Sequence, residues 1–108
     1  MTYPVARIGD LYDDGDTQME GSDSVFANFI PIARVGDLTE GHICQPPLPA
    51  VFAPPAEIIT GSGSVFVNYI PVAHVGDIHD VHKCGGPGGC CSHTGELING
   101  SDNVMVGG

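Results

Sequence analysis

Gly21-Ser22-Asp23-Ser24-Val25-Phe26-Ala27-Asn28-Phe29-Ile30-Pro31-Ile32-Ala33-Arg34-Val35-Gly36-Asp37 realigns without a gap on Gly61-Ser62-Gly63-Ser64-Val65-Phe66-Val67-Asn68-Tyr69-Ile70-Pro71-Val72-Ala73-His74-Val75-Gly76-Asp77. A third copy is divided between the two ends of the chain. Gly100-Ser101-Asp102-Asn103-Val104-Met105-Val106-Gly107 closes the sequence and Pro4-Val5-Ala6-Arg7-Ile8-Gly9-Asp10 opens it. Internal repetition at this level defines the architecture before any single element does. The units run about 21–37, 61–77, and 100–108 joined to 4–10. Completing the third unit requires the first and last strands to lie side by side, so the three units close into a pseudo-threefold ring with no free edge between the termini.

Within a unit, one alternating set is wholly apolar (Val25, Ala27, Phe29), and the other mixes apolar with polar residues (Phe26, Asn28, Ile30). This predicts a strand, a tight turn around Asn-x-Ile-Pro, and a second strand. The proline at 4, 31 and 71 begins the second strand, where a missing N–H costs least. Gly9, Gly36 and Gly76 end it, where a positive φ releases the chain into a loop. Val25, Val65, Val104, Phe26 and Phe66 are expected in the core or at the base, since strand aromatics far more often pack than bind ligands. The loops differ sharply: 10–20 is short and acidic, 37–58 is Pro-rich, and 77–97 is packed with Gly, His and Cys. Similar hairpins with divergent loops predict a common base and a specialised apex.

The expected fold class is all-β, one domain over 1–108. With 16 Gly and 9 Pro in 108 residues, little uninterrupted sequence remains for long helices. Three Lys plus Arg against 13 Asp plus Glu give a formal net charge of −10, which repels a phosphate backbone and disfavours anionic lipid. No nucleic-acid partner is expected, nor stable membrane insertion, since no apolar run approaches the ~20 residues a span needs. The start of the chain shows neither a basic n-region nor an apolar h-region, so export by the general secretory route is not expected. The absence of an extension beyond the third repeat predicts no toxin domain.

His42, Cys44, His79, His82, Cys84, Cys90, Cys91 and His93 fall in two loops, and none falls in a hairpin. A tetrahedral zinc site takes four such N and S donors, and loops meeting at an apex can supply them. Interleaving with histidine favours metal ligation over disulfides. His42 lies five residues after Asp37 and His82 five after Asp77, so the repeat places both at equivalent points as the first ligands. His74 replaces a repeat arginine in a strand and reads as structural, and His79 reads as solvated. Cys90-Cys91 is too strained to bond to itself and otherwise reads as a pair of buried small hydrophobes. The glycine-rich 85–89 run has no strand before it and no helix after it, so it is not a phosphate loop. No carboxylate pair is set for acid–base work, and the chain is expected not to be an enzyme.

The recurring Pro-[Val/Ile]-Ala-[Arg/His]-[Val/Ile]-Gly-Asp, followed after a loop by Gly-Ser-x-x-Val-[Phe/Met], resembles the repeat of the PAAR family, named for Pro-Ala-Ala-Arg, over nearly the whole chain. This chain departs in having Val or Ile at the second motif position, His74 for the third arginine, and no Cys or His in its first loop. The resemblance implies a short cone whose triangular base binds a trimeric β-helical spike protein, one tip per trimer, with zinc near the vertex. Such a tip would sharpen a contractile phage tail or type VI secretion needle and meet the target-cell envelope only transiently. Its place would be the virion tail tip, or the cytoplasm before delivery by a needle. His93, within Cys90-Cys91-Ser92-His93-Thr94-Gly95, resembles the return segment that carries a ligand in relatives. The family's usual set of three His and one Cys implies a thiolate fourth donor: Cys84, with Cys44, Cys90 and Cys91 as rivals. Asp14 stands where relatives commonly carry a ligand in the first loop and gives a carboxylate alternative. The expected metal set is therefore His42, His82, Cys84 and His93, holding zinc, with iron the alternative. Competing functions are a small zinc-dependent hydrolase and an adaptor that tethers effectors to a secretion needle.

Overall fold

In each complete repeat the chain reverses at Asn-aromatic, where both residues adopt a left-handed backbone: φ is 55° at Asn28 and Asn68, and 66° at Phe29 and Tyr69. Two consecutive positive φ values define the mirror-image turn whose twist matches that of the paired strands. The computed structural model describes residues 1–44, 51–82 and 93–108. Its strands are β1 (Thr2–Pro4), β2 (Phe26–Ala27), β3 (Ile30–Pro31), β4 (His42–Cys44), β5 (Val51–Ala53), β6 (Phe66–Val67), β7 (Ile70–Pro71) and β8 (Met105–Gly107). The chain is all-β among the described residues, and every strand pair is antiparallel.

Strand β2 pairs with β3 and β6 with β7, in the same register, Phe26 opposite Pro31 and Phe66 opposite Pro71. Met105 stands opposite Pro4 where β8 pairs with β1, so the first and last strands complete the divided unit. One sequence expectation changes here. Val25 is half-buried and Ala27 is buried, but Phe29, assigned to the same apolar set, is 99% exposed, and Tyr69 is fully exposed. The turn rotates these rings out of the strand alternation.

The remaining motif letters each have a local job. The hydroxyls of Ser22, Ser62 and Ser101 accept hydrogen bonds from the backbone N–H groups two and three residues on, at 2.9–3.2 Å, and bend the chain into each hairpin. Asp10, Asp37 and Asp77 accept from the backbone N–H of Arg7, Arg34 and His74 at 2.7, 2.8 and 2.7 Å. These contacts close a turn around Gly9, Gly36 and Gly76, whose φ values of 93°, 93° and 98° match the predicted release points. Arg7 reaches Asn28 Oδ1 at 3.2 Å and Arg34 reaches Asn68 Oδ1 at 3.1 Å, each tying one unit to the turn of the next. In the divided unit Gly107 occupies the asparagine's position. There His74 stacks on Tyr3, centroids 4.6 Å apart and planes 13° apart, and its Nδ1 lies 2.8 Å from the Val75 carbonyl. This is the structural placement expected for His74.

Between units the backbone closes a cycle. The amide of Ala6 donates to the carbonyl of Ala73, Ala73 to Ala33, and Ala33 to Ala6, at 2.9, 3.0 and 2.9 Å. All three alanines have no exposed surface. Three chain segments meet there around fully buried methyl groups. Below them Val5, Ile32, Val72, Ala27 and Val67 form one buried cluster, edged by Val25, Val65, Val104 and Val106. On the other side Tyr12, Ile58 and Leu97 pack with the alanines in a second cluster. The loops leave from that second layer, stitched by bridges that include Leu11 to Thr17, Gln18 to Thr39, and Ile58 to His79. The Pro-rich second loop contains a further hairpin, β4 with β5, so His42 and Cys44 do lie in a hairpin, against the sequence expectation.

Candidate metal centre

Above the second core layer, three loops converge on one point. The first is a tight return in which the Tyr12 amide donates to the Asp16 carbonyl at 2.9 Å and Gly15 takes φ 91°. It projects Asp14, whose Oδ1 accepts from the Asp16 amide at 3.0 Å and whose Oδ2 faces inward. Gly95 makes room for it: a β-carbon on Gly95 would come within 2.7 Å of all three carboxyl atoms of Asp14. The second loop brings His42 at the start of β4, just after Gly41 at φ 83°. The third brings His82, whose Nδ1 lies 2.7 Å from the Pro54 carbonyl, and His93 on the return.

The inward atoms are Nε2 of His42, His82 and His93, and Oδ2 of Asp14. His42 Nε2 is 3.2 Å from His82 Nε2 and 3.1 Å from His93 Nε2. Asp14 Oδ2 is 3.5 Å from His42 Nε2, 3.4 Å from His82 Nε2 and 3.1 Å from His93 Nε2. A regular tetrahedron with edges of this size places its centre about 2.0 Å from each corner, the length of a zinc–nitrogen or zinc–oxygen bond. The donor chemistry fits as well. The carbonyl of Pro54 takes the Nδ1 proton of His82, which leaves Nε2 as the lone-pair nitrogen, the usual arrangement of a ligating histidine. Burial raises the Asp14 pKa, but hydrogen bonds from the Asp16 amide and His79, and the charges of His79 and His42, outweigh it and bring the pKa down to about 2. The carboxylate is therefore anionic at neutral pH, as a ligand must be.

These four residues form one group that could hold a metal ion; Asp14, Asp16, His79 and His82 form a second, overlapping one. Asp16 is already committed. Its Oδ1 accepts from the amides of Thr17 and Gly41 at 2.8 and 2.9 Å, and its Oδ2 accepts from the Thr39 hydroxyl at 2.6 Å. It is a buried strut that fastens the first loop to the backbone just before His42.

Of the predicted ligands, the structure brings together His42, His82 and His93. Cys84, Cys90 and Cys91 lie outside the described residues, as does the side chain of Cys44. The donor completing the described set is Asp14, the carboxylate alternative. His79 requires a correction: it is fully buried, not solvated, with Nε2 2.7 Å from Asp14 Oδ2. Its repeat position signals this, because His79 follows Gly76-Asp77 at the same spacing as Tyr12 follows Gly9-Asp10 and Thr39 follows Gly36-Asp37, and all three are buried. In comparisons with known proteins, no family model matches the chain and no curated protein matches it.

Proposed function

We propose that this chain is a metal-pinned tip that caps a trimeric β-helical spike of a contractile phage tail or secretion needle. The observation that carries the reading is the closed hydrogen-bond cycle of Ala6, Ala73 and Ala33, which joins three similar hairpins into a ring within one chain. A ring of this kind offers related contacts to three identical partners, so one chain can sit on a trimer. At one register position of the three hairpins, Phe26, Phe66 and Met105 are 52%, 55% and 48% exposed, an apolar surface suited to burial on the end of a spike.

The resemblance to the PAAR repeat supports the same reading, and the metal centre gives it a physical role. Asp14, His42, His82 and His93 come from three loops that converge above the second core layer. A bound ion, zinc or else iron, would tie those loops together, so that its binding free energy becomes folding free energy. Four protein donors around one point suit a closed structural site better than a catalytic site that keeps a position for water.

The test is affinity for the trimeric spike of the parent particle, compared between the wild type and Phe26→Asp or Phe66→Asp. Both side chains are half exposed, so the variants should fold and bind the spike at least tenfold more weakly, since a charge would be buried at the junction. Unchanged binding by the folded variants would refute the docking face.

A further inference from the structure

We propose that the flank of the molecule is a second contact surface for the trimeric spike, on which each spike chain lays an apolar segment edged with lysine or arginine. The proposal rests on the capping reading above and extends the contact beyond the base. Its basis is a closed cycle of six antiparallel bridges at the waist: Leu11 to Thr17, Gln18 to Thr39, Leu38 to Glu57, Ile58 to His79, Ile78 to Glu96, and Leu97 back to Tyr12. Tyr12, Gln18, Thr39, Ile58, His79 and Leu97 turn inward, each at most 2% exposed. Side chains alternate across extended backbone, so the residues on either side of these turn outward and form two rows. The row towards the hairpins is apolar at all six positions: Leu11, Met19, Leu38, Ile59, Ile78 and Ile98. The row towards the apex is acidic at five of six: Asp13, Glu40, Glu57, Asp80 and Glu96, with Thr17 the sixth.

A singly exposed aliphatic residue needs no explanation, but a complete circle of them does. Leu11, Met19, Ile59 and Ile98 are 41–53% exposed, and Leu38 and Ile78 are half-buried. Leu11, Leu38 and Ile78 directly follow the aspartates that close the turn after each hairpin, so a partner that covers the hairpins reaches this row next. The acidic row then sets the charge of that partner's rim. Arg7 and Arg34 are committed at the unit junctions to Asn28 and Asn68, so neither neutralises the row, and Lys83 lies outside the described residues. One stretch of the circle is recessed into a cavity of about 310 Å3 whose lining includes Leu38, Pro54, Pro55, Val81, Glu57 and Asp80. Apolar walls with two carboxylates suit a lysine or arginine side chain, whose aliphatic stem packs while its charged head meets the acids. A second copy of this chain would instead set acid against acid. Both rows recur in every unit, as the hairpins do, which matches three identical partner chains.

The experiment measures the dissociation constant of the full chain for the trimeric spike protein that co-purifies with it, at about 50 and 300 mM salt, with circular dichroism to check folding. Glu57→Gln/Glu96→Gln changes only exposed side chains. It should bind about 5- to 10-fold more weakly than wild type at the lower salt, and lose less affinity than wild type when the salt is raised. Ile59→Ser/Ile98→Ser should bind about tenfold more weakly at both salt concentrations, and Ile59→Thr/Ile98→Thr, which keeps the β-branch, serves as the readout if the serine variant does not fold. Wild-type affinity in the folded waist variants, alongside weakened binding by Phe66→Asp, would confine the spike to the base and overturn the flank contact while leaving the capping reading intact. A wild type with no affinity for the spike would overturn the capping reading and this proposal with it.

Discussion

Asp14 concentrates the chemistry of the molecule in one side chain. It is held by the Asp16 amide and His79, fitted against Gly95, and surrounded by three histidine nitrogens. Its lowered pKa, about 2 against 3.8, makes a prediction for the metal-free protein. A group whose folded pKa is depressed contributes stability that is complete above the unfolded value and lost as pH falls through the folded one. Chemical denaturation should therefore show the wild type more stable than Asp14→Asn by about 2 kcal/mol at pH 5–6, an advantage that fades between roughly pH 4 and pH 2. Asp10 and Asp77 work in the opposite sense, because burial raises their pKa values, and comparison with the single variant cancels them. A stability gap that does not change with pH would contradict the assignment. At this scale the sequence was legible where the repeat spoke: His42 and His82 share a position, and they meet. Asp14 was harder to read because it lies one residue before Gly15, which holds that shared position in the first loop. His79 was misread because a histidine near other histidines looks like a solvated ligand candidate until its match to buried Tyr12 is noticed.

The hairpin turns are the element whose sequence and backbone disagree. Asparagine suits the first left-handed position, but glycine is the residue the second one favours, and here Phe29 and Tyr69 occupy it at φ 66°. Neither ring gains burial in return. A left-handed conformation costs an ordinary residue about 1–2 kcal/mol, part of which glycine would give back as unfolded-state entropy. Phe29→Gly and Tyr69→Gly should therefore each stabilise the isolated chain by roughly 0.5–1 kcal/mol in thermal or denaturant unfolding. If the exposed rings take part in docking, the same variants should bind the spike more weakly. Loss of stability on substitution would show that the rings pack in a way the fold does not reveal. The hairpins themselves were legible, since proline, asparagine and glycine each mark a position with a specific backbone demand. The β4–β5 hairpin was not, because the prolines near it obscured any alternation.

At the scale of the whole molecule, ring closure was readable because the third repeat is divided between the chain ends, and the register of β1 on β8 completes it. What the repeat could not supply is the way its shared positions stack into layers: alanines at the junction of units, a valine and isoleucine layer below, and a layer above that passes from Tyr12 and Leu97 to polar Thr39 and His79. That gradient from apolar base to titratable apex is what the proposed capping role draws on, in which one end would be covered by a spike and the other pinned by a metal. The proposed capping role is tested most directly by the native mass of any complex that this chain forms with a trimeric β-helical spike protein co-purified with it. The predicted result is one copy of this chain on three copies of the spike protein; three copies of this chain per spike trimer, or no stable complex with any trimeric β-structure, would contradict it.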